Sequence, residues 1–355
     1  MDSQHHQFQC SRCGTTVYGG ERYCKVCGLN LEAAVSHPPV APMNLGDIFN
    51  RLVQYIGRSF FRYITVAAVI FLPTTLLIIL ATTRFYGSID FTNDYNDYET
   101  IPDFSAFFFN FGFIGLAGLV SFIAYLAGTV AVISIIKGEF SEKRIGWRIA
   151  LTNAFSMYLL RAIGQVIVLL FIFGGAGFAM FVIVMIMGYI TESLIITIPL
   201  FLGAVIFTMY LYYRLSFALP AIVCEDAGAF EGLSRSWKLV KGYWWRVFGI
   251  LLLLGFMTEF ATSIITTPVA LIAMWPFYRA MFQAMGDEAN EAEILTAGFE
   301  SMGIGIGIMT AVYLVITVYI SPIYTTILYY DLRARKGEFI PRETGQSAET
   351  GSNRP

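Results

Sequence analysis

Charge is scarce in this 355-residue chain: 14% of residues are Asp, Glu, Lys or Arg, where ordinary soluble domains carry about 25%. That shortage excludes one large water-soluble enzyme. Histidine is scarcer still, with three copies (His5, His6 and His37) and none after residue 37, so nine-tenths of the sequence lacks the side chain most used for proton transfer near neutral pH. No P-loop, Ser-His-Asp set, HExxH pair or Rossmann glycine pattern occurs in a supporting context. Of five cysteines only Cys224 lies beyond residue 27, and with no histidine to activate it, it reads as a small buried residue. The sequence therefore predicts a protein that is not an enzyme.

What is present in excess is apolar side chain, 56% of the total with a mean hydropathy of +0.64. It is gathered into long runs. Uncharged stretches of 21, 33, 30, 21 and 30 residues follow Arg62, Asp103, Arg161, Glu192 and Glu300, and one of 32 after Arg246 is broken only by Glu259. About 20 apolar residues cross a bilayer core as a helix, so these runs predict an all-α integral membrane fold with six transmembrane helices. No strand-length alternation of the kind a membrane β-barrel needs is visible.

Lysine and arginine accumulate in cytoplasmic loops, and here 21 of the 23 fall on one side of the six spans, leaving Arg84 and Arg279 for the other. The opposite loops are acidic, with Asp90, Asp94, Asp97, Glu99 and Asp103 in one and Asp287, Glu288, Glu291, Glu293 and Glu300 in the next. The expected topology is a multi-pass protein of the cytoplasmic (cell) membrane with N- and C-termini cytosolic. Residues 1–44 hold no apolar core of a signal peptide, so none is expected.

Those residues carry a metal motif instead. Cys10-Ser-Arg-Cys13-Gly and Cys24-Lys-Val-Cys27-Gly are two CxxC turns ten residues apart, a spacing that brings four thiolates to one tetrahedral ion. Structural Zn2+ is the expected cofactor, and the pattern resembles the zinc-ribbon modules at the N-terminus of many prokaryotic membrane proteins. Three basic residues against two acidic ones in residues 1–30 make no phosphate-binding patch, so no nucleic acid is expected as partner. A membrane or cytosolic protein partner is expected alongside the lipid bilayer itself. The predicted organisation is a zinc ribbon at 1–31, a proline-bearing linker at 32–44, a six-helix membrane domain at 45–336 and a flexible cytosolic tail at 337–355.

The membrane domain reads as three repeated units of interfacial helix, span, outer loop and span. Arg62, Arg161 and Arg246 end the three interfacial stretches, and Lys137-Gly-Glu-Phe140 is echoed by Lys336-Gly-Glu-Phe339. Phe217 to Glu225, Ser234 to Arg246 and Leu328 to Glu338 resemble the membrane domain attached to some bacterial glycerophosphodiester phosphodiesterases. That resemblance implies a six-helix membrane domain over about residues 45–340. It does not imply phosphodiesterase activity, which in that family belongs to a separate soluble barrel.

Within the spans, Gly303, Gly305, Gly307 and likewise Gly174, Gly175 and Gly177 are expected at close helix contacts. Pro73 is expected to kink the first span, and Pro199 and Pro220 to bend or end the fourth. Glu259 is the one acidic residue near the middle of a span. A carboxylate there is costly facing lipid, so it is expected to face the bundle interior or a wet cavity. Thr262, Ser263, Thr266 and Thr267 share its helical face. This stripe either bonds neighbouring helices or binds a cation, a proton or a polar substrate group. The sequence thus supports a non-catalytic membrane protein that recruits or stabilises partners, with a transporter or lipid-handling protein using an intramembrane carboxylate as the alternative.

Overall fold

A computed structural model describes residues 7–9, 16–18, 26, 41–88, 104–141, 144–191, 194–285 and 291–338. Two short antiparallel strands, β1 (Gln7–Gln9) and β2 (Thr16–Tyr18), pair with Gln9 opposite Thr16. The rest of the described chain is helical. In order come α1 (Leu45–Tyr86), α2 (Phe104–Phe140), α3 (Trp147–Ala154), α4 (Met157–Thr191), α5 (Leu194–Leu215), α6 (Ala218–Glu225), α7 (Ala229–Val240), α8 (Trp244–Ala273), α9 (Trp275–Ala284) and α10 (Glu291–Arg335).

Six of these, α1, α2, α4, α5 continued through α6, α8 and α10, are long and apolar enough to cross a membrane. Buried residues concentrate where α1, α2 and α10 pack together, around Tyr63, Phe71 and Tyr329. By contrast, the apolar windows of α4 and of α5 contain no buried residue, so this hairpin lies at the periphery of the bundle.

The first unit departs from the expected plan. Asn44 and Asp47 form a reciprocal capping box, with Asp47 N–H donating to Asn44 Oδ1 at 2.8 Å and Asn44 N–H donating to Asp47 Oδ2 at 2.9 Å, which fixes the helix start. From there α1 runs 42 residues through Pro73 without interruption, about 63 Å at 1.5 Å per residue. The expected interfacial helix is thus continuous with its span. Units two and three do break: α3 is followed by a turn at Phe155 and Ser156, and α7 by Gly242 at φ +90°, a conformation that favours glycine. In the last unit the expected outer loop is helical from Glu291 onward, and α9 is an additional short helix.

The glycine expectations divide. A methyl group on Gly303 would lie 2.6 Å from Thr83 Cα, and one on Gly307 2.8 Å from Ile79 Cα, so α10 approaches the α1 backbone in the way small residues permit. Gly305 meets Ala273 and Met274 in the same manner. Gly174, Gly175 and Gly177 instead have nothing within 4 Å of such a methyl, because α4 turns that face away from the bundle. Gly303→Leu is therefore expected to prevent close packing of α1 on α10 and lower yield of monodisperse protein in mild detergent. Gly175→Leu should leave the elution profile unchanged; equal behaviour of the two variants would contradict the packing assignment.

Candidate functional site

Arg62, Arg161 and Arg246 each find a partner at or just past the end of another helix. Arg62 on α1 pairs with Glu139 near the end of α2, and its Nη1 also donates to the Ile145 carbonyl at 3.1 Å. Arg161 on α4 donates to the backbone carbonyl of Asp226, just past α6, at 2.7 Å, while the Tyr158 hydroxyl donates to that residue's carboxylate. Arg246 on α8 pairs with Asp331 near the end of α10 at 3.1 Å. These contacts gather at one end of the bundle, called the basic end below.

Asp331 is the most enclosed of these acids, with no exposed surface. Arg335 lies four residues on, hence on the same helical face, and its Nε donates to Asp331 Oδ2 at 3.0 Å. The third participant comes from outside the bundle: Met43 N–H donates to Asp331 Oδ1 at 2.7 Å. Met43 O then accepts from Arg246 Nη2 at 2.6 Å and from Arg335 Nη2 at 2.7 Å. Two cations thus neutralise one buried anion while all three groups grip the backbone N–H and C=O of a single residue just ahead of α1. A buried carboxylate is tolerated only with such pairing.

A second ionic cluster joins the three sequence runs that carried the family resemblance. Arg235 on α7 clasps Glu225 at the end of α6 through Nε and Nη2 at 2.9 and 3.0 Å. The Tyr329 hydroxyl also donates to Glu225, and Arg333 lies 3.3 Å from it. Glu338 closes the ring on Arg235 and Arg333. Burial pushes the Arg235 pKa down, but hydrogen bonds and charge from Glu225 and Glu338 push it further up, so the guanidinium stays cationic throughout.

The intramembrane residues singled out in the sequence separate. Glu259 is exposed and lines a half-open cavity of about 560 Å3 bordered by α2, α4, α5, α6, α8 and α10, and its Oε1 accepts from the Tyr313 hydroxyl at 3.3 Å. Thr262 turns into the packed interior, where its Oγ1 has no partner among the described residues. Ser263 is exposed and donates to the Phe260 carbonyl at 2.8 Å, and Thr266 is half-buried. Helical phase put them on one broad face, but that face straddles a cavity wall, a packed seam and the outer surface. The cavity recruits polar residues that the sequence reading passed over, Gln165, Thr129 and Ser321 among them. Their signal was weak because one isolated polar residue in an apolar run has no phase of its own.

Cys10, Cys13, Cys24 and Cys27 lie outside the described residues. Among the described residues no group of His, Cys, Asp and Glu is arranged to hold a metal.

The fold defines a helical protein with six helices long and apolar enough to span a membrane. More narrowly, the chain belongs to the family described as a domain of unknown function (DUF7847), whose model matches residues 104–332. No curated protein and no solved structure matches the chain. The matched region starts at α2, although α1 contributes Tyr63 and Phe71 to the core.

Asp331→Asn should remove the anion between two guanidiniums that are each about a quarter exposed. Breaking a buried pair from one side costs about 3–5 kcal/mol, and partial exposure of the arginines places this variant near the lower figure. Denaturant unfolding in mild detergent checks it, and a change under about 1 kcal/mol would contradict a structural role for the clamp.

Proposed function

We propose that this is a non-catalytic multi-pass protein of the cytoplasmic membrane, with both termini cytosolic, that holds an N-terminal zinc ribbon at a fixed exit point and uses it to recruit or stabilise a protein partner. The observation that carries this reading is the grip on Met43 by Asp331, Arg246 and Arg335. A tether of residues 32–44 ends where both bundle termini meet, so the module on its far side is confined to the basic end. The 21 basic residues expected on that side support its being cytosolic. A reducing cytosol also keeps thiolates available as ligands.

Four cysteines in paired CxxC turns would hold one Zn2+ with no open coordination position, which is a structural and not a catalytic arrangement. The antiparallel pairing of β1 with β2 supports a hairpin, and the sequence between the strands includes Cys10 and Cys13. The contacts of Arg62 with Glu139, of Arg161 with the Asp226 carbonyl and of Arg246 with Asp331 support three repeated units, each closed by its own polar lock. A second reading, transport or lipid handling through an intramembrane carboxylate, draws on Glu259 in its cavity.

Membrane-impermeant labelling of single cysteines introduced beside Asp94 or Glu291 should proceed only from the external side; labelling only from the cytosol would reverse the topology. Metal analysis should give one zinc per chain, lost in the Cys10→Ser/Cys27→Ser double variant while the bundle keeps its helicity. Undiminished zinc in that variant would remove the ribbon. A partner that co-purifies stoichiometrically with the intact chain in mild detergent should be lost with it; retention would move recruitment to another part of the molecule.

A further inference from the structure

The cavity between the peripheral α4 and α5 hairpin and the rest of the bundle takes no part in the ionic contacts of the basic end. Its lining is biased in charge: Glu259 is acidic, and no Lys, Arg or His is present among the described lining residues. It is biased in hydrogen bonding as well. The hydroxyls of Thr129, Ser216, Thr258 and Thr325 already donate to carbonyls of their own helices at 2.8–2.9 Å, leaving oxygen lone pairs toward the cavity. Gln165 is only 6% exposed, and its Oε1 is buried with no hydrogen-bond partner among the described residues.

The depth of the cavity sharpens that bias. At about 1.5 Å per residue, Gln165 lies about 6 Å beyond Arg161, while Glu259 lies about 20 Å beyond Arg246. The walls therefore reach from the basic end to beyond the middle of a core about 30 Å thick. A water molecule could satisfy Gln165, but it leaves the deep carboxylate with no opposite charge. A hydrated divalent cation fits poorly, since such ions take several hard oxygen ligands and usually more than one carboxylate. The lining is otherwise largely aromatic and apolar, with Tyr212, Tyr324, Phe173 and Phe256 among it, and ring faces attract organic cations.

We propose that this cavity binds an organic ammonium carrying an apolar body. Its charge sits at Glu259, and its hydrocarbon lies along Phe173 and Phe256. A volume near 560 Å3 is within the usual range of about 300–1,000 Å3 for small-molecule sites. The inference deepens the second reading above by naming the ligand chemistry; its failure leaves the topology, zinc and partner measurements untouched.

Full-length protein in phosphatidylcholine nanodiscs, titrated calorimetrically with octylammonium against empty nanodiscs, tests it. Saturable binding is expected, with octanol and octyl sulfate at least about tenfold weaker. Glu259→Gln keeps the side-chain length and a hydrogen-bonding group for Tyr313, so it should weaken octylammonium by about tenfold or more and leave octanol unchanged. Equal octylammonium affinity in the two proteins overturns the proposal, as does octanol binding as tightly as octylammonium. Should the variant fail to fold, the wild-type comparison of ammonium with alcohol decides alone. Phosphatidylethanolamine added to the nanodisc then assigns the source: competition identifies an aminolipid headgroup, and unchanged affinity a free amphipathic amine.

Discussion

A single buried carboxylate organises the basic end of this protein. Asp331 has no access to solvent, so its charge must be balanced by what touches it, and each of its partners belongs to a different stretch of chain. Arg246 brings the start of α8, Arg335 the last turn of α10, and the Met43 peptide the residue just before the cap of α1. Desolvation makes the cluster cooperative. Removing one partner leaves the remaining charges underpaired at low dielectric, so the contacts form together or not at all.

Around that point the other locks follow a common rule. Arg62, Arg161 and Arg246 each stand on a long helix and reach Glu139, the Asp226 carbonyl and Asp331 at or just past the end of another. Beyond the locks the helices diverge in packing. α1 and α10 approach backbone to backbone through Gly303 and Gly307, whereas the α4 and α5 hairpin stays peripheral and leaves the polar cavity behind it. Polar chemistry is thus partitioned, with paired charges at the basic end and one carboxylate among acceptors and aromatic rings in the membrane layer.

Much of this was legible in the sequence because it follows from composition and spacing over long windows. The six apolar runs became six helices of spanning length, since no other regular structure satisfies the backbone over such stretches without closing a barrel. Arg62, Arg161 and Arg246 stood out in the sequence, and each makes a polar contact with another helix end. Asp331 was not, because an acid at the end of a span looks like an ordinary boundary residue until its partners are folded against it. Gln165 was missed because one isolated polar residue in an apolar run has no phase of its own. A period of 3.6 put Glu259 and Ser263 on one face without saying what that face meets, and small size alone put Gly175 at a close contact that it does not make.

The account rests most directly on the Met43 peptide being part of the folded bundle rather than the end of a loose linker. Hydrogen exchange of its backbone amide in the full-length protein reports on this without altering a residue. Protection comparable to that of the buried helix amides around Tyr329 is the result the clamp predicts. Exchange as fast as that of a free linker amide would contradict it.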